Sequence, residues 1–394
     1  MTTAPMARSV IAAVAISALG GLASADEFDW PRMMVIATPG TMTASFASTN
    51  GWLPIFQREI GTVGRVVPEA DEMMRYTRLT NRRDIQIASV SAAEMRAQVE
   101  GLGTYAAVPP ASMRILWHHN DTPWGYVVRG DSPLTALEDI RTTPTRVAEG
   151  VFSPPLVAAV RTSLPGYLDM TPEEVSAQIT YIPAVSYAEN CRAVVTGRAD
   201  VALCATVSSL LSEMEGTPGG IRWLPLDPDN TEGWARYLEG RPDLAPTIMD
   251  MGVESALGIG GSTSSFVYAV PADADEDLAY NMAKWLHENF ESYRDTHPMS
   301  ERMSLEVFRD YLNRTPLPIH DGTVRYLREI GEWTDEDDVW NAQAAANLDG
   351  WVAAREAAFA EARETGVTVA NDDPAFVEIL GRHTEGLEPL RSRL

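Results

Sequence analysis

The chain has 394 residues, with 31 basic against 55 acidic side chains, a formal charge of −24 and two cysteines. This charge excludes capture of nucleic acid or of an anionic membrane through the overall field. Without CxxC or Cys/His spacing, the two cysteines also exclude an ordinary zinc site. The length exceeds what one hydrophobic core serves and predicts two domains.

Residues 1–25 read as a cleaved signal peptide. Arg8 precedes an apolar run from Val10 to about Leu22, which closes on Ala23-Ser24-Ala25, a small-x-small pattern. The run is built from Ala, Gly and Ser and is too short and weakly apolar to span a bilayer. No cysteine stands near the cleavage point to take a lipid. The expected product starts at Asp26 and is soluble, periplasmic and not membrane-inserted.

Met33–Ala37 is a short apolar run that predicts a buried strand. It opens into Thr38-Pro39-Gly40-Thr41-Met42-Thr43-Ala44-Ser45, a loop of small polar residues, and then a helix through Trp52–Phe56. Ile85–Ala88 repeats the pattern, leading into Ser89-Val90-Ser91 and a helix over 92–100. Ile115–Trp117 and Tyr126–Val128 predict two further strands. The set recurs in the middle of the chain: a strand at Thr145–Ala148 before Ser153, a helix over Tyr187–Thr196, and a strand at Asp200–Cys204 opening into Thr206-Val207-Ser208-Ser209. Strands follow at Ile221–Leu226 and Phe266–Val270, then a helix over Asp275–Phe290. Alternation of this kind means a mostly parallel α/β sheet. After Trp333 the chain is rich in Ala and Glu. Trp340, Ala344, Leu348, Trp351, Ala358 and Ala362 lie near one face of a long amphipathic helix over 335–364. Cys191 falls in a helix and Cys204 at the end of the next strand. They are expected as two buried free thiols, with a helix–strand disulfide as the alternative.

A hydroxyl-rich loop follows strand after strand. In open α/β sheets ligands bind beyond the carboxyl ends of strands, where backbone N–H groups at a helix start favour an anion. The candidate ligand-binding residues are Thr38, Gly40, Thr41, Ser45, Ser89, Ser91, Ser153, Thr206 and Ser208. Arg129, at the expected lobe crossing, is the candidate fixed cation, because a guanidinium grips a carboxylate bidentately; a surface salt bridge is its other reading. No catalytic or metal-binding residue and no cofactor is expected. His118-His119-Asn120-Asp121 lacks metal-ligand spacing and reads as a turn with Trp117 packed behind it. No GxSxG elbow, P-loop or dinucleotide fingerprint is present.

The order of these segments resembles the TAXI-type solute-binding proteins of tripartite ATP-independent periplasmic (TRAP) transporters. Ile36-Ala37-Thr38-Pro39-Gly40-Thr41 is similar to that family's first strand and ligand loop. Tyr126–Leu134 with Leu137-Glu138-Asp139-Ile140 is similar to its crossing strand and the helix start that follows. Tyr187-Ala188-Glu189 through Val195–Ala202, Ile221–Asp227 and Asp277–Tyr280 are similar to later segments. The resemblance spans about residues 33–331. It departs at Ser45-Phe46, where the family has a Gly-rich stretch running into a Tyr pair, and in the extension after Trp333.

The resemblance implies a type II periplasmic-binding fold of two α/β lobes around a ligand cleft, here with a C-terminal helical extension. Residues 32–128 and 262–394 would form lobe one, and residues 129–261 lobe two. It implies a binding protein, not an enzyme, that is a monomer or homodimer and delivers a small carboxylate to TRAP permease membrane subunits driven by an ion gradient. Ligands of the family are glutamate, 2-oxoglutarate and related dicarboxylates. Two other functions share the sequence pattern. One is a sensory binding protein that presents its ligand to a membrane receptor. The other is an exported enzyme, for which only His118, His119 or a cleft carboxylate such as Glu149 could serve.

Overall fold

The computed structural model describes residues 1–2 and 28–391. But for its first two residues, the expected signal peptide lies outside the described residues. Among the described residues no helix is long and apolar enough to cross a membrane.

Among the described residues ten strands form the sheet framework: β1 (Met33–Thr38), β2 (Val63–Pro68), β3 (Ile87–Ser91), β4 (Met113–Arg129), β5 (Thr145–Gly150), β6 (Ile179–Ala184), β7 (Val201–Ala205), β8 (Ile221–Leu224), β9 (Ala245–Ile248) and β10 (Gly260–Pro271). One end of the sheet runs β2-β1-β3-β10-β4, with β10 antiparallel to its neighbours. The other end runs β6-β5-β7-β4-β8, with β4 antiparallel to its neighbours. The two halves therefore share one topology. Strand β4 is the last strand of the first half and the antiparallel strand of the second. This is the mixed α/β architecture of the type II periplasmic-binding fold that the resemblance implies, with β4 and β10 antiparallel to every neighbour in a sheet expected to be mostly parallel.

Apolar side chains separate accordingly. One cluster joins Met34, Ile36, Trp52, Phe56, Trp117, Tyr268 and Trp285 in the first half. In the second half the pleat sends alternate residues to opposite faces. Tyr126, Val128 and Leu203 enter one cluster, while Val127, Ala202 and Cys204 enter the other.

Three features differ from the sequence expectations. Ile115–Trp117 and Tyr126–Val128 belong to the single strand β4, so His118–Asp121 is mid-strand and not a turn. Its polar groups are satisfied by distant elements. His119 Nε2 meets Ser48 Oγ at 2.7 Å and Tyr268 OH at 3.0 Å, and its Nδ1 meets Ser89 Oγ at 2.8 Å. Asp121 is held by His118, Ser265, Arg302 and Arg314. Second, the two cysteines are not free thiols: Cys191 and Cys204 form a disulfide with their Cα atoms 6.0 Å apart. Third, β2, β6 and β9 were not expected.

The C-terminal helix spans Asp335–Thr365, capped by Thr334 and ended at Gly366. Its Leu348, Trp351 and Val352 join the first-half core. Farther along, Ala358, Phe359 and Ala362 pack on Phe376 and Ile379 of a final helix, Pro374–Thr384. Between these patches Arg355 is fully buried and donates to the carbonyls of Gln98, Val99, Tyr105 and Val108.

Candidate functional site

Helices begin just past the strands of both halves, and hydroxyl residues cap them. Thr43 Oγ1 accepts from Phe46 N, Ser91 Oγ from Glu94 N, Ser186 Oγ from Glu189 N and Ser208 Oγ from Leu211 N. Such caps satisfy backbone donors that a helix start leaves orphaned; Thr43 also donates its hydroxyl hydrogen to Gly40 O at 2.8 Å. These helix starts border a cavity of about 260 Å3. Gly40, Thr41, Ser45, Glu72, Arg75 and Ser91 line it from the first half. Phe152, Ser153, Tyr187, Ser208 and Arg241 line it from the second, and Thr122, Trp124, Ser264 and Phe266 come from β4 and β10.

Of the residues expected from sequence, Gly40, Thr41, Ser45, Ser91, Ser153 and Ser208 line this cavity, while Thr38, Ser89, Thr206 and Arg129 do not. Thr38 is buried and donates to Pro39 O at 3.0 Å. Ser89 is taken up by His119, and Thr206 donates to Met251 O at 2.7 Å. Arg129 sits at the outer end of β4, its side chain 48% exposed, and forks onto Asp131 at 2.5 and 2.6 Å. Among the described residues the arginines that line the cavity are Arg75 and Arg241.

Both are engaged. Arg75 Nη2 reaches Glu94 Oε2 at 2.6 Å, with side-chain exposures of 1% and 2%, and its Nη1 donates to Glu69 O at 2.6 Å. Arg241 forks onto Asp243 at 3.3 and 3.1 Å and donates to Pro155 O at 3.1 Å. Three shielded polar atoms on lining residues have no hydrogen-bond partner: Arg75 Nε, Trp124 Nε1 and Glu72 Oε2. Buried polar atoms are ordinarily paired, and leaving one unpaired costs about 1–3 kcal/mol. Burial, with Glu94 beside it, pushes the Glu72 carboxyl up to about 8, although Arg75, Ser153 and Arg241 oppose the shift. Burial also raises Glu94, against the pull of Arg75.

Sequence reasoning missed Glu72 and Arg75. They lie in the helix Glu72–Thr77, capped by Asp71 after the unrecognised β2. A Glu and an Arg three apart on a helix resemble an ordinary surface pair. Among the described residues no group of three or more His, Cys, Asp or Glu could hold a metal ion.

Two α/β halves joined by long crossing strands, with a cavity between them, define the fold of the solute-binding proteins. The chain belongs to the NMT1-like family, whose sequence model matches residues 36–331. No curated protein matches the chain in sequence. Among solved structures it is similar to MatC from Rhodopseudomonas palustris, determined with bound malate, at 13% identity over 80% of this chain and 100% of that one, TM-score 0.47. It is also similar to the aliphatic sulphonate binding protein SsuA from Escherichia coli, at 14% identity over 80% of this chain and 91% of that one, TM-score 0.41. A third similar structure is the periplasmic binding protein BugD, at 13% identity over 84% and 98% of the two chains, TM-score 0.40.

Proposed function

We propose that the protein is an extracytoplasmic solute-binding protein that captures a small carboxylate in the interlobe cavity. It would deliver that ligand to an ion-gradient-driven permease of the TRAP type, as the resemblance to TAXI-type proteins implies. The observation that carries the reading is the pair of unpartnered buried donors, Arg75 Nε and Trp124 Nε1, on residues that line one cavity rimmed by serine and threonine hydroxyls. A carboxylate offers acceptors only, and desolvated N–H donors grip it with charge-assisted hydrogen bonds. The global charge of −24 opposes an approaching anion. Salt screens that field beyond about 10 Å at 0.1 M, whereas contacts inside the cavity persist.

The experiment is a thermal-shift screen of the mature protein against glutamate, 2-oxoglutarate, C4-dicarboxylates and monocarboxylates, followed by calorimetry on the hits. A ligand at about a hundred times its Kd stabilises the folded state by about 2.7 kcal/mol. Stabilisation by amines alone would overturn the carboxylate assignment. Uptake of the same ligand into proteoliposomes holding a TRAP permease, dependent on added binding protein, tests delivery.

A further inference from the structure

On the first-half wall of the cavity two carboxylates face one guanidinium. Glu94 is fully served: Arg75 reaches one of its oxygens at 2.6 Å, and Gln98 donates to the other at 2.9 Å. Glu72 Oε2 is shielded from solvent and has no partner. Charged and titratable groups face Glu72 from several elements. Arg75 is on its own helix, Glu94 is on the helix Ala92–Glu100, and Tyr105 is on the turn beyond. Arg241 faces it from the second half, but Asp243 already neutralises that guanidinium. Glu94 is buried and Glu72 Oε2 is shielded, and two such carboxylates competing for one guanidinium cannot both ionise cheaply. Glu94 holds the arginine, so Glu72 holds the proton. The upward displacement of its titration by burial agrees with this count.

A neutral carboxyl is a donor. With Glu72 protonated, the unpartnered polar groups on the lining residues comprise Arg75 Nε–H, Trp124 Nε1–H and a carboxylic O–H. All three are donors in want of an acceptor. We infer that Glu72 takes part in capture as a neutral carboxylic acid, donating a hydrogen bond to the carboxylate of the ligand, so that capture depends on a bound proton. The inference rests on the carboxylate reading above and narrows it. The site accepts an acceptor-only anion, and an ammonium group facing Glu72 would need the opposite protonation state. Where Glu72 already carries its proton, binding takes up none. Where Glu72 has ionised, each binding event draws one proton from solvent, and affinity falls up to tenfold per pH unit.

Calorimetry on the mature protein, with 2-oxoglutarate, glutamate, succinate and phenylacetate as probes and phenethylamine as a cationic control, tests this between about pH 6.5 and about 9.5. The expected result is a plateau for the bound acid up to about pH 8, then a fall of about tenfold per unit, with proton uptake visible as a dependence of the heat on buffer ionisation. Glu72→Gln keeps a donor and does not titrate, so its profile should be flat. Glu72→Leu should weaken binding at neutral pH by about tenfold or more. A flat wild-type profile, an affinity that rises with pH, or an alkaline fall that persists in Glu72→Gln would each overturn the inference and leave the carboxylate reading standing. Failure of every acid to bind, whether or not phenethylamine binds, would overturn both.

Discussion

Gly101 and Arg355 are in contact: a Cβ on Gly101 would stand 2.5 Å from Arg355 Nε. Gly101 ends the helix Ala92–Glu100 in the left-handed conformation, φ +72°. Its missing side chain leaves room for the guanidinium of the C-terminal helix, which reaches four carbonyls. No carboxylate balances Arg355, and burial brings its titration down to about 10. The extension is therefore anchored by a desolvated cation held by backbone oxygens.

This anchor sets the first prediction. Arg355→Met should cost about 2–5 kcal/mol, because it strands several buried carbonyls. Gly101→Ala should cost about 1–3 kcal/mol through strain at positive φ together with the clash. Urea unfolding of the two variants measures both. Wild-type midpoints for both would mean that the docked extension contributes nothing to stability.

The disulfide gives the second. Cys191 and Cys204 tie a helix to the strand that follows it, with a sequence separation of 13. Closing a loop of about that size constrains the unfolded chain by about 3 kcal/mol. Reduction under native buffer conditions should lower the melting temperature, and thiol titration of the unreduced, denatured protein should find no free thiol. Two titratable thiols would disprove the pairing.

Ligand affinity supplies the third. Trp124→Phe keeps the ring in place but removes Nε1–H, one of the unpartnered cavity donors. Its loss should weaken a bound carboxylate by about tenfold to a hundredfold, the worth of one charge-assisted hydrogen bond. Arg129→Ala, outside the cavity and paired with Asp131, should leave affinity unchanged. Calorimetry showing the reverse order would move the binding site toward the outer end of β4.

Acid stability is the fourth. Burial, with His118 and His297 nearby, holds His119 well below the usual imidazole range, so it stays neutral in the folded protein. Unfolded, it would take a proton below about pH 6.5, and the folded state does not compensate. Stability should therefore fall as pH drops below about 6.5, by up to about 1.4 kcal/mol per unit from this group. Chemical denaturation at a series of pH values reads that slope. Constant stability from about pH 6.5 to about 5 would contradict a buried neutral His119.

The buried strands and their helices were legible because apolar runs with hydroxyl caps announce themselves locally. The edge strands were not. Val63-Gly64-Arg65-Val66-Val67-Pro68 carries both Gly and Pro, which an edge tolerates and a central strand does not. The same holds for Ile179–Ala184, with Pro183, at the opposite edge. Strand β4 read as two pieces because His118–Asp121 is polar. Its burial depends on Ser48, Tyr268, Arg302 and Arg314, more than 70 residues away in sequence. Among the candidate site residues, those that cap or precede a helix reached the cavity. Ser89 and Thr206 are taken up by His119 and Met251 O, both distant in sequence, while Thr38 donates to the carbonyl of its own neighbour Pro39. Glu72 and Arg75 depend on a neighbour, Glu94, that the sequence places 19 positions beyond Arg75.

The paired crossing strands have a mechanical consequence. β4 and β10 stay in register from Met113 opposite Pro271 to Trp124 opposite Ser262, interrupted by shifts beside Phe266 and Tyr268. Sliding one strand along the other would break this ladder and turn every side chain to the wrong face. The two strands pair with each other alone only where Asp121 and Thr122 face Ser265 and Ser264; on either side further strands join them. Any relative rotation of the two halves would concentrate its torsion in that short joint. Trp124, paired with Ser262 on one side and Ala205 on the other, would then travel with the second half as one rigid piece.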